Sequence, residues 1–143
     1  MPVPVFTHPD CIRHDPGPGH PETPARLAVT LARLSRDPRA ELRQATPGTR
    51  EDLLLVHPEG HLVRLEEMSR AGGGVLSLDT TMNEASWAAV LAATGALAEA
   101  IAHAHAGKGH AFAAVRPPGH HALAQRAMGF CLVNNVIVGA RRA

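Results

Sequence analysis

The stretch on which the fold turns is Ala111-Phe-Ala-Ala-Val115, followed directly by Arg116-Pro-Pro-Gly-His-His121. The first five residues form an apolar run of strand length. The next cannot extend it, because two consecutive prolines remove two backbone donors and a glycine follows. A strand therefore hands over to a stiff loop that carries two adjacent imidazoles. In open α/β sheets, ligands sit beyond the carboxyl ends of the strands, so this loop is where chemistry is expected.

Upstream, Thr81-Met-Asn-Glu84 has the form of a capping box opening the longest helix, Glu84 to about Ala106, with Trp87, Leu91, Ala98 and Ile101 on one stripe and Gly107 and Gly109 closing it. Pro58 suits the first turn of a helix running to Arg70, and Thr49 caps a short helix through Leu53–Val56. Glu41–Ala45 reads as a short strand. Thr23-Pro24 opens a helix with Leu27, Leu31 and Leu34 on one face, stopping before Pro38. The proline- and glycine-rich segment His8–Glu22 excludes helix and central strand, and Val3–Thr7 reads as the first strand. Downstream, Asn134–Arg142 has helical composition without a cap. Helices alternating with short strands, with no hairpin signal, predict an α/β layered fold with a parallel sheet, in one domain without repeats or linkers.

At 143 residues the chain can bury a core, and its 45% hydrophobic and 19% charged residues exclude a disordered chain. No apolar run approaches the ~18 residues of a membrane span. Lys plus Arg (14) nearly balance Asp plus Glu (13), for a net charge of +1, which argues against a nucleic-acid partner. Met1–Phe6 has no basic leader, and Cys11 and Cys131 form no CxxC pair, so a reducing cytoplasm is the expected location. With 3% aromatic residues and no Tyr, alanine and aliphatic packing must hold the core.

Histidine titrates near working pH, which suits His120 and His121 to proton exchange. His57-Pro-Glu-Gly-His61 is rejected as a metal motif: its glutamate is not at the second position of HExxH, and Pro58 disturbs the shared face. His103 and His105 point to different helix faces and read as solvent groups, and Cys131 as a small buried hydrophobe.

Arg116-Pro-Pro-Gly-His-His-Ala122, then Gly129-Phe-Cys-Leu-Val-Asn-Asn135, resembles the signature of the histone deacetylase superfamily, particularly its class II and acetylpolyamine amidohydrolase branches. His14-Asp-Pro-Gly-Pro-Gly-His-Pro-Glu-Thr-Pro-Ala-Arg26 is similar to that family's N-terminal loop, and Leu78-Asp-Thr80 with the Ala-rich helix after it falls in the family's order. The resemblance implies an arginase-like three-layer α/β fold with a mostly parallel sheet. It also implies a zinc-dependent amidohydrolase acting on acetyl-lysine or acetylpolyamine, in which zinc polarises the carbonyl and activates water. By the same resemblance His121 exchanges the proton and His120 holds charge beside the metal. Phe130 walls the substrate tunnel, the Gly129 backbone touches the scissile amide, Asp79 binds substrate at the rim, and Arg26 lines the cavity near the acetate. Asp79 reads equally well as a turn residue, and Arg26 as a solvated charge.

Family members carry an Asp-x-His pair, a further Asp and a later Tyr, and this sequence departs from them there: no Asp or Glu follows Glu99 and no Tyr occurs. The expectation is therefore the N-terminal part of a deacetylase domain, residues 1–143, with no metal ligands of its own and inactive alone. A non-catalytic module that grips an acylated chain is the alternative. Oligomeric state is unreadable.

Overall fold

A computed structural model describes all 143 residues. Its central layer is a three-stranded parallel sheet, ordered β2-β1-β5, from β1 (Val3–Thr7), β2 (Ala40–Gln44) and β5 (Phe112–Ala113). The order arises because β1 enters the middle, pairing Val3–Thr7 with Ala40–Gln44 on one side and Val5–Phe6 with Phe112–Ala113 on the other. The expected parallel α/β arrangement is what the chain adopts. Only two residues of the apolar run 111–115 pair as strand, because the prolines that follow cannot support a ladder.

Short α1 (Asp10–Arg13) interrupts the Pro-rich segment, where no helix was expected; its first turn begins after Pro9, where a missing N–H costs nothing. Next come α2 (Pro24–Leu34), α3 (Arg50–Leu54) and α4 (Glu59–Arg70), each opened by the local signal in the sequence: Pro24, Thr49 and Pro58. Thr49 and Asp52 form a reciprocal capping box.

The largest difference from the sequence reading follows α4. Gly73–Ser77 (β3) and Thr80–Asn83 (β4) form an antiparallel hairpin, and Thr81–Asn83 belong to its second strand rather than to a capping box. The Thr81 hydroxyl donates to the Pro16 carbonyl, and Ser86 Oγ accepts from the Asn83 N–H, so tertiary and turn bonds take the groups a cap would have used. A Cβ on Gly73 would meet the β4 backbone at Asn83, which is why glycine lies there.

The long helix α5 runs Ser86–His105 and packs on β1, α1 and α6 (Asn135–Arg142). Its deepest face is alanine: Ala89, Ala92, Ala93 and Ala96 are fully buried, while Trp87 and Leu91 flank the core. Small side chains let neighbouring backbone approach, as where the Gly48 N–H donates to the Leu91 carbonyl and segment 46–48 crosses directly over Gly95. By length and composition α5 alone could cross a membrane, a property the search for apolar runs missed; here half of its apolar window is buried inside the domain. The main core gathers Leu53, Leu62, Leu65, Val90, Leu132, Val133 and Val138 from α3, α4, α5, α6 and the loop before it. That loop is thereby part of the core, and α6 is capped after all, by the Asn134 side chain accepting from the Ile137 N–H.

Candidate active site

The loop that leaves β5 starts on a buried ion pair. Arg116 is 3% exposed and grips Glu22 through two bonds, Nε to Oε1 at 2.8 Å and Nη2 to Oε2 at 2.7 Å. Its remaining donors reach the carbonyls of Glu22, Cys11 and His14. Every charged group is matched, as burial requires. His14 Nδ1 lies 2.7 Å from Ser86 Oγ, and burial first, then the Arg116 cation, push its pKa down to about 4, so the ring is neutral. The start of the loop is thus tied to α1, the 14–22 segment and α5.

His120 and His121 follow on this support, both exposed, with ring centroids 4.3 Å apart and planes tilted by 47°. Gly119 lies against Asn135 so closely that a Cβ there would collide with its carboxamide, so the pair is braced from below by α6. The His121 N–H faces Cys131 Sγ at 3.4 Å, and Cys131 in turn faces the Gly129 carbonyl at 3.3 Å. Cys131, read as a buried hydrophobe, is buried and also bridges the histidine loop to the Gly129 corner.

That corner is wound tightly. Gly129 has φ +58° and Phe130 φ +69°, the left-handed region that a bulky side chain rarely adopts. The Phe130 N–H donates to Thr80 Oγ1 at 3.0 Å, and that hydroxyl donates to Asp79 Oδ1 at 2.9 Å. The hydroxyls of Thr80 and then Ser77, with the Gly129 amide, lower the Asp79 pKa. His20 completes the support: its Nδ1 accepts from the Glu22 N–H, leaving Nε2 to donate to the Asp79 carbonyl, and its ring stands edge-on to Phe130 at 4.8 Å.

A cavity of about 1350 Å³ joins these groups. His120, His121, Met128, Gly129 and Phe130 line one end, with Ser77–Asp79 of the hairpin turn beside them. The other end runs along the free edge of β5 and against α2. The structure therefore brings His120, His121, Gly129, Phe130, Asp79 and Arg26 to one cavity. Asp79 lies in the hairpin turn, as its reading as a turn residue expected, and it also lines the cavity. Arg26 is exposed on α2 at the far end, whereas the buried guanidinium of this region belongs to Arg116. Sequence reasoning assigned no role to Glu22, Arg116, His20 or Thr80. All four lay inside the quoted motifs, but their pairing spans many residues and has no local signature.

No group of three or more His, Cys, Asp or Glu side chains converges as a metal site. The two carboxylates that line the cavity are engaged elsewhere, Glu22 by Arg116 and Asp79 by its own turn. The donors of this chain do not fit a zinc centre, which takes at least three protein ligands.

The parallel α/β layer is the fold expected from the resemblance to the histone deacetylase family, and one cavity on it gathers the paired imidazoles and a pinned aromatic ring. Comparison with known proteins agrees: the histone deacetylase domain family matches residues 20–143, and the chain belongs to that family. It is 39% identical over 124 residues to a histone deacetylase-like amidohydrolase of Pseudomonas aeruginosa, covering 86% of this chain and 33% of that protein. It is 36% identical over 140 residues to a probable deacetylase of Archaeoglobus fulgidus, covering 94% and 39% respectively. The crystal structure of the HDA15 HD domain superposes with a TM-score of 0.89 at 33% identity, covering 99% of this chain and 44% of that one. The chain thus spans less than half the length of these relatives.

Proposed function

We propose that these residues form the proton-transfer and substrate-channel part of a deacetylase site that hydrolyses the acyl amide of an amine on an alkyl stem, such as acetyl-lysine or an acetylpolyamine. The observation that carries this reading is the juxtaposition of the two exposed imidazoles with Phe130, held in a left-handed conformation in the same cavity. An alkyl stem is apolar and thin, and an aromatic ring fixed at the cavity wall offers it dispersion contact without a polar cost.

Hydrolysis needs a proton taken from the attacking water and one delivered to the leaving amine. An imidazole can do both in turn, because its neutral and cationic forms are close in energy near pH 7. His121, tied through its backbone to Cys131 and Gly129, is held in the geometry to act as that base and acid. His120 stands beside it with ring centroids 4.3 Å apart, the place the family resemblance gives to the companion imidazole. Zinc dependence follows from the family resemblance and requires donors beyond those described above. The 143 residues alone are therefore proposed to bind an acylated amine without turning it over.

The test is binding. A fluorescein-labelled tripeptide centred on acetyl-lysine is titrated with the chain and compared with the same peptide bearing free lysine. The acetylated probe should bind more tightly, and Phe130→Ala should remove the difference. Equal binding of the two probes contradicts the proposal.

A further inference from the structure

His57 and His61, set aside as metal ligands, form a second imidazole pair with a different task. They stand at the junction of α3 and α4, buried, with rings stacked at 5.2 Å and 29°. All their hydrogen bonds go to one loop. His57 Nε2 accepts from the Asn134 N–H at 2.9 Å, which leaves Nδ1 to donate to the Ala124 carbonyl at 2.8 Å. His61 Nε2 donates to the Leu132 carbonyl at 3.0 Å. None of these three backbone groups has a backbone partner.

Within the loop, two tight turns close on themselves, Leu123 with Arg126 and Met128 with Cys131. Neither ties the loop to the body of the domain. The polar attachments beyond these turns include Asn134 Nδ2 to the Ala122 carbonyl, the His121 N–H to Cys131 Sγ, the Gly129 amide to Asp79, Thr80 at Phe130, and the two histidines, which alone reach the loop from α4 and the turn before it. Packing alone does not account for the pair. His61 is 6% exposed and its Nδ1 has no partner, a desolvation penalty that a leucine of similar volume would not carry.

We infer that His57 and His61 are positioning residues: from α4 they clamp the loop Ala122–Asn134 and so set where Gly129 and Phe130 stand in the cavity. The effect on substrate rests on the functional reading of Phe130 given above; the clamp itself does not. Glutamine can reproduce both bonds of His57, one amide oxygen accepting and one amide nitrogen donating, whereas leucine fills the space and makes neither.

The experiment compares wild type, His57→Leu, His57→Gln, His61→Leu and, as a stability control, Phe6→Ala, which removes core volume from a cluster that contains no residue of the loop. Amide hydrogen exchange of residues 122–134 is measured well below each variant's melting temperature, with affinity for the acetyl-lysine probe. The clamp predicts exchange at least roughly tenfold faster in this loop for His57→Leu, the size of one lost net hydrogen bond, with faster exchange in His61→Leu and recovery in His57→Gln. It also predicts weaker probe binding in the leucine variants at a melting temperature no lower than that of Phe6→Ala. Loop exchange that simply follows melting temperature across the set, or a glutamine variant no better than leucine, overturns the inference. If loop exchange behaves as stated while wild type binds both probes equally, the clamp stands and the functional reading fails.

Discussion

Gly129 is the residue on which His121 and the Phe130 wall of the cavity meet. At φ +58° a Cβ would lie 2.7 Å from the Cβ and ring of His121, so Gly129→Ala must both strain the backbone and displace that imidazole. The expected loss is about 1–3 kcal/mol, read by urea denaturation, with weakened binding of the acetyl-lysine probe. Glu22 matters for a different reason. Its carboxylate neutralises a guanidinium buried to 3% exposure, and Glu22→Ala leaves that cation with carbonyls alone. Breaking one side of a buried pair costs about 3–5 kcal/mol, so this variant should melt far below wild type, whereas removing the exposed Arg43–Glu41 pair should leave the melting temperature close to that of wild type.

Among the elements, α6 and the loop before it carry most of the organisation of the site. Asn134 caps α6 through Ile137 and holds the Ala122 carbonyl, so Asn134→Ala should cost roughly 1–2 kcal/mol in denaturant titration and loosen the histidine loop together with the helix. The sequence made α2, α3 and α4 readable because each starts on a signal contained in its own first turn. It did not reveal the β3–β4 hairpin, because Thr81-Met-Asn-Glu84 fits a capping box locally and only bonds to Pro16 and Ser86 decide otherwise. The same division holds in the site. His120, His121, Gly129 and Phe130 were legible as short motifs, while Arg116 with Glu22, 94 positions apart, has no period or spacing to announce it. His57 and His61 were visible as a motif, but their targets lie on a loop 67 to 77 positions away.

For the whole molecule, three buried imidazoles set the response to acid. His14, His57 and His61 all have pKa values lowered by burial from the ordinary 6.5, His14 to about 4. The unfolded chain therefore takes up protons that the folded chain refuses, and stability present above pH 6.5 is lost as pH falls toward 4. His14 alone should contribute roughly 3 kcal/mol of that loss, and His14→Gln should flatten the dependence of melting temperature on pH across this window.

These residues carry the imidazole pair and the aromatic wall of the cavity, and their donors do not converge into a metal centre. Acetate release from acetyl-lysine peptide by the purified 143-residue chain, supplied with equimolar zinc and then passed over a chelating resin, tests this directly. No zinc retained and no acetate above the peptide blank is the predicted result. Stoichiometric zinc surviving the resin, with turnover that His121→Ala abolishes, would contradict it.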